Sequence, residues 1–303
     1  MTQQPVQTPA AMRGNSALAG FLKSLRLLLQ DRFALASLII VGIFVLLAIL
    51  APLLAPYGAF EASLTETGRL RRLQPPSADH LLGTNAFGQD VLSQFLYGFR
   101  IAIIVGLVAA LAVGIISTII GVLSGYFGGY IDDFLMRLTD IALSIPTLPF
   151  AIVAVALLGP NVQNIILVIT ILFWRNGARL IRSAVLTERE RVYVRWARAA
   201  GASHMHIIMK HVLPNIVRVV FLWITMSVAF AILTEASLSF IGLGDPSVIS
   251  WGQMLNMAFT SGALRTAWWW VLPPSVALVM LISSLYLIGR SYEELTNPRL
   301  RRQ

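Results

Sequence analysis

The 303-residue sequence contains no cysteine. That excludes disulfides, thiolate metal sites and cysteine nucleophiles. Charge is scarce as well: Asp, Glu, Lys and Arg make up 12% of the chain, about half the share in an ordinary soluble domain. Hydrophobic residues reach 57% and mean hydropathy is +0.76. A chain this apolar reads as an all-α polytopic membrane protein. Three motifs are missing too. Without GxxxxGK[ST] there is no backbone cradle for nucleotide phosphates, and without GxSxG or HExxH there is no serine-hydrolase elbow or zinc-protease helix. The chain is therefore read as non-enzymatic, with no catalytic residue, metal site or cofactor of its own. Its net charge of +9 would suggest nucleic acid in a soluble protein. Here the basic residues cluster beside apolar runs, so membrane topology explains them and no nucleic-acid partner is expected.

What is present is a succession of apolar runs, about six, each near the ~20 residues a bilayer requires. Residues 1–32 are polar, then basic, with Phe21, Leu25 and Leu28 at helical spacing, as in a segment lying on the membrane. The first span occupies 33–56. Its length and the prolines Pro52 and Pro56 favour an uncleaved anchor over a signal peptide. Residues 57–99 form a polar loop, 100–290 the remaining spans, and 291–303 a basic tail. The second span, 101–123, carries small residues every fourth position (Gly106, Ala110, Gly114, Thr118), continued by Gly121, Gly125 and Gly129. Such stripes let helices approach closely in lipid, although Gly is also simply tolerated there. The third span is expected over 134–158 and the fourth over 162–181, where Arg175, Arg179 and Arg182 can snorkel or extend the helix into the headgroups. The fifth covers 217–241, and Trp268, Trp269 and Trp270 open the sixth as an interfacial belt. Eighteen of the 23 Lys and Arg residues fall on one side if the N-terminus is cytoplasmic, which puts both termini inside.

Between the fourth and fifth spans lies ERERVYVRWARAAGASHMHIIMKHVLPNIVR, residues 188–218. Arg191, Arg195 and Arg198 share one helical face, with Val192, Trp196 and Ala199 beside them. Gly201 interrupts the pattern, as a helix stop or a point of close backbone approach. Ser203 is placed to cap a second short helix ending at Leu213-Pro214. The small residues before Gly201 mark this helical pair as a docking surface, against the alternative of a solvated loop whose charge only sets topology.

Few residues invite chemistry. His204, His206 and His211 lack a neighbouring carboxylate, and on a helix the first two point to different faces, so the interface is preferred to a metal site. Asp140 and Glu235, with Ser237 beside the latter, are the candidates for a translocation path or gate. A charge at mid-bilayer costs about 2.5–3.5 kcal/mol. Either each carboxylate has a proton- or ion-coupled role, or each is satisfied by polar contacts or a span end; the second is preferred. A free-standing secondary transporter built on them would be expected to show an internal repeat, and none is evident.

Three stretches carry a resemblance. Arg195-Trp196-Ala197, then Gly201, then Leu213-Pro214, is similar to the EAA loop of ABC-importer permeases, with Arg195 and Trp196 replacing its first glutamate and alanine. His80 to Arg100 resembles the HxLGTDxxGRDVxSRxxYGxR segment, matching at Gly83, Thr84, Gly88 and Asp90 but carrying Asn85 and Gln89 in place of Asp and Arg. Glu235 to Gly244, followed by Pro246 and Trp251-Gly252, is similar to EASLSFLGLG…P…WG. Together they resemble the C-type permease subunits of dipeptide, oligopeptide and nickel ABC importers. The resemblance implies a type I ABC importer permease (MetI-like) fold in the bacterial inner membrane. It also implies a homologous second permease, two ABC ATPase subunits that carry ATP and Mg, and an extracytoplasmic solute-binding protein. Coupling to the ATPases would run through the 188–214 loop, at Arg195, Ala197, Ala200, Gly201, Ala202, Ser203, Leu213 and Pro214. Peptides, nickel chelates, opines and some oligosaccharides all fall within the wider family's cargo.

Overall fold

The computed structural model describes residues 31–296. The amphipathic segment expected over 1–32 lies outside the described residues apart from its last two, as does the tail beyond 296. Among the described residues five helical stretches are long and apolar enough to cross a bilayer, six when one bent pair is counted as a crossing.

α1 (Arg32–Leu54) starts where the Asp31 carboxylate accepts the Phe33 N–H at 2.9 Å, a side-chain N-cap. At 1.5 Å per residue its 23 residues span about 35 Å, enough for the ~30 Å hydrocarbon core. α2 (Val91–Phe127) is the central helix. It begins ten residues before the expected second span because Asp90 caps it, accepting the Ser93 N–H at 2.7 Å. The loop expected over 57–99 therefore yields its last nine residues to a helix.

Glycine decides how closely the other helices approach α2. Cβ atoms built at Gly106 and Gly114 would run into Ile232 and Ile224 of α8 (Leu213–Leu238). At Gly121 and Gly125 they would meet the backbone and side chains of α5 (Val162–Arg189). Both stripes are thus packing surfaces, one per neighbour. Gly129 does not share this role: it faces open space with φ +52°.

The third span differs from the continuous helix expected over 134–158. It is two helices, α3 (Gly129–Ser144) and α4 (Thr147–Leu158), bent by 86°. Ile145 precedes Pro146, and the proline ring drives the residue before it out of the helical region; Ile145 sits at φ −82°, ψ 123°. α5 in turn runs eight residues beyond its expected end. Its arginines find partners within the protein. Arg175 is buried, its guanidinium donating to the Ala142 carbonyl and, at 2.8 Å, to Thr147 Oγ1. Arg182 makes two 2.6 Å bonds to Asp132, and Arg179 pairs with Asp140. Three arginines one helical turn apart staple the bent pair to α5.

After two short helices, α6 (Val192–Ala199) and α7 (His204–Ile207), a π-helical turn over Ile208–Val212 leads straight into α8. The second short helix does not end at Pro214, because the proline sits in the first turn of α8. There its missing N–H costs nothing. Beyond α8 the chain reverses at Gly242 (φ +96°), forms α9 (Trp251–Thr260), and returns through α10 (Trp268–Thr296). The tryptophan triplet splits: Trp268 is exposed, whereas Trp269 and Trp270 are buried, Trp269 donating to the Thr84 carbonyl at 3.3 Å. One indole faces outward and two belong to the core.

Candidate coupling surface

α6 is amphipathic, and its one buried side chain, Val194, anchors it. Val194 packs with Ile207, Ile208 and Val212 against Val122 and Tyr126 of α2 and Ile181 and Val185 of α5. Two polar contacts lock the arrangement to α2. The Tyr126 hydroxyl and His204 Nδ1 are 3.0 Å apart, and the Arg198 guanidinium lies 5.7 Å from the centre of the Tyr126 ring, a cation–π distance. Asn215 ties the entry of α8 to α6 through the Tyr193 hydroxyl at 3.0 Å.

Gly201 makes the turn between the two short helices. It has φ +79°, its N–H reaches Arg198 O at 3.1 Å, and Ala202 N–H reaches Ala197 O at the same distance. This is a left-handed helix stop of the kind glycine favours. A Cβ here would meet nothing of this chain within 4 Å, so within the chain the residue acts as a stop and no close packing calls for it. Ser203 then caps α7, accepting the His206 N–H at 3.3 Å.

The small residues divide by face. Ala197, Ala202 and Leu213 pack inward on the Val194 cluster, and Pro214 is half-buried. Ala200 and Gly201 are exposed, and so are Arg195 and Trp196, the latter at 73%. A shallow depression of about 380 Å³ lies along Arg195, Trp196 and Ala199. In the sequence Trp196 marks a departure from the resembled EAA loop and Ala199 a neighbour of the arginine stripe; an exposed indole on a membrane protein's polar loop is the signal for the surface they share. His204 is engaged with Tyr126, and the His206 and His211 rings lie 5.9 Å apart. Among the described residues no three metal-ligating side chains converge.

At the other end of α2 the residues 57–90 fold into a cap. Thr84 and Asp90 are fully buried. Asp90 holds His80 Nδ1 at 2.9 Å while capping α2, and Thr84 Oγ1 accepts the Gln74 N–H at 3.0 Å. Gly83 (φ +65°) has no room for a Cβ beside the Trp269 ring, and Gly88 (φ +76°) turns the chain so that its carbonyl accepts the Ser63 N–H. Asn85 and Gln89 bond each other, Nδ2 to Oε1 at 2.8 Å. The two departures from the resembled motif therefore form one neutral pair. Nearby, burial pushes the Asp245 carboxyl up, but hydrogen bonds from Ser247 and from the Val162 N–H outweigh it and hold it below the usual carboxylate range.

Asp140 and Glu235 are not brought together. Asp140 is exposed and pairs with Arg179. Glu235 is buried, accepting from Ser239 Oγ at 2.7 Å and from Ser250, which also caps α9. Ser237 spends its hydroxyl on the Leu233 carbonyl.

Comparison with known proteins extends over nearly the whole chain. Residues 117–302 match the family described as binding-protein-dependent transport system inner membrane component, and residues 22–76 match the N-terminal transmembrane domain of oligopeptide transport permease C. The dipeptide transport system permease protein DppC of Alkalihalophilus pseudofirmus is 33% identical over 99% of this chain and 97% of its own. DppC of Bacillus subtilis is 34% identical, over 91% of this chain and 85% of its own. A solved structure of the MetNI methionine ABC transporter in an inward-facing conformation superposes with a TM-score of 0.55 at 20% identity, over 67% of this chain and 97% of that one. That likeness shows a shared permease fold. With a family match over more than half its length, the chain belongs to the binding-protein-dependent transport system inner membrane components: it is the non-catalytic, membrane-spanning permease subunit of an ATP-driven ABC importer.

Proposed function

We propose that this permease carries peptides and receives work from its ATPase partners on the outer face of α6. The observation that carries the coupling assignment is the two-sided construction of that helix. Trp196 and Arg195 project outward, while Val194, Ala197 and Arg198 fasten the inner face to α2 and α5. A push on Trp196 is thereby delivered to two membrane helices at once. Arg195, Ala200, Gly201 and Ser203 form or shape the contact; Ala197, Ala202, Leu213 and Pro214 hold it in place.

On this reading both termini and the 188–214 pair are cytoplasmic, as the distribution of eighteen of 23 basic residues supports. ATP and its Mg ion belong to two ATPase subunits, and a homologous second permease completes the pathway. The cap holding Gly83, Thr84, Gly88 and Asp90 is extracytoplasmic and faces the solute-binding protein. Asp140 and Glu235 act as structural anchors, Glu235 by pinning the start of α9.

The peptide assignment rests on the relatives, which are dipeptide transport system permease proteins. It is tested with the complete importer and its cognate binding protein in proteoliposomes. Unlabelled di- and tripeptides are expected to stimulate ATP hydrolysis and to be taken up. Stimulation by a nickel chelate or an opine alone, with peptides inert, would replace that cargo and leave the permease assignment standing.

A further inference from the structure

Arg100 stands on α2 just below the cap, and its side chain borders two adjoining cavities. The upper one, about 470 Å³, lies among Phe60 of the cap, Tyr97 of α2 and Ser247 of the loop before α9. The lower one, about 320 Å³, is a groove between α1 and α2. Apart from Arg100 its lining is aliphatic, including Val45, Ile49, Ile103 and Ile104. Ile49 and Ile104 are 68% and 45% exposed, so the groove opens sideways, away from the protein. Both volumes are of ligand size, at or above roughly 300 Å³.

No carboxylate among the described residues pairs with Arg100. The acids nearest in the chain to these walls are occupied: Glu61 accepts the Gly58 N–H at 2.9 Å, and Asp245 is held by Ser247 and Val162. A guanidinium offers a planar fork of donors that matches phosphate oxygens. Here it lies at the junction between a largely apolar chamber, in which Tyr97 and Ser247 supply hydroxyls beside Ile101, Val248 and Ile249, and an aliphatic groove with an exposed outer edge.

We propose that Arg100 and these two cavities bind one anionic phospholipid. The phosphodiester sits on the guanidinium, an acyl chain fills the α1–α2 groove, and the headgroup extends toward Tyr97 and Ser247. A peptide carboxylate shares the anion chemistry but not the groove, whose aliphatic walls would leave a peptide's N–H and C=O groups without partners. The inference requires only that the chain spans a membrane, and stands or falls apart from the choice of cargo.

The test equilibrates the purified importer complex in nanodiscs of mixed phosphatidylethanolamine and phosphatidylglycerol, then counts retained lipid by native mass spectrometry. Wild type is expected to retain phosphatidylglycerol above its bulk share. Arg100→Gln, which removes the charge at an exposed position, is expected to weaken that retention about tenfold, the scale of one charge-assisted contact. Ile104→Trp, which fills the groove and keeps the arginine, is expected to lower it as well. Equal phosphatidylglycerol retention in wild type and Arg100→Gln would overturn the proposal. So would unchanged retention together with a KM that rises for peptides bearing a free carboxylate and not for their C-terminal amides; that result would make Arg100 a cargo contact.

Discussion

Replacing Gly201 by leucine is expected to leave the importer assembled in the membrane while cutting binding-protein-stimulated ATP hydrolysis about tenfold, the equivalent of ~1.4 kcal/mol. Space is not the obstacle, since nothing lies within 4 Å of a Cβ there. The obstacle is φ +79°, which costs an ordinary L-residue roughly 1–2 kcal/mol. The strain is relieved by re-angling α6 against α7, and that angle aims Trp196. Two companions separate this from general damage. Gly201→Asn is expected to retain most coupling, because asparagine tolerates the left-handed region. Gly262→Leu meets the same strain, φ +69° with open space, in the turn after α9, and is expected to leave stimulation unchanged. Stimulation in Gly201→Leu equal to wild type would remove the turn from the coupling path.

A larger effect on stability is expected at Gly121. Its Cβ would lie 2.8 Å from both the Ala178 carbonyl oxygen and Ile181 Cβ, groups that have no rotamer to escape into. α2 and α5 would have to separate along their shared face, and overpacking of this kind costs about 1–3 kcal/mol or more. Gly121→Leu is therefore expected to accumulate poorly in membranes and to unfold at markedly lower denaturing-detergent content. Gly42→Leu, on α1 with nothing within 4 Å, is expected to match wild type in both measurements. Equal stability of the two variants would contradict the close α2–α5 contact.

These two glycines show where the sequence speaks and where it falls silent. Gly201 was legible because a helix stop is a local event, written in the small residues before it and the serine after it. The spans were legible for the same reason: a bilayer reads about twenty residues at a time. The staples were not. Arg182 and Asp132 are fifty positions apart, and Arg175 finds its acceptors near Ala142 and Thr147. The bend at Ile145-Pro146 sets Ala142 and Thr147, one on either side of it, within reach of the same guanidinium. The bend itself had a local signal, an X-Pro step, but hydropathy runs through it without a break. Trp269 and Trp270 looked interfacial because a tryptophan run marks a membrane boundary, whereas the cap's Thr84 carbonyl draws one indole inward. The inward turn of Ala197 likewise depends on Val194 finding α2 and α5, which no spacing within α6 specifies. Glu235 was recognisable as buried, but its partner Ser250 lies across a chain reversal.

The central claim is that the exposed face of α6 is where the ATPase subunit engages this permease. Because the natural sequence has no cysteine, Trp196→Cys carries a single thiol, and a short thiol-to-amine cross-linker reports what touches it in the assembled importer. One dominant adduct with the ATPase subunit is expected, with a yield that changes between nucleotide-free and ATP-bound complexes. A thiol equally labelled by soluble reagent with and without the ATPase, and yielding no such adduct in either state, would contradict it.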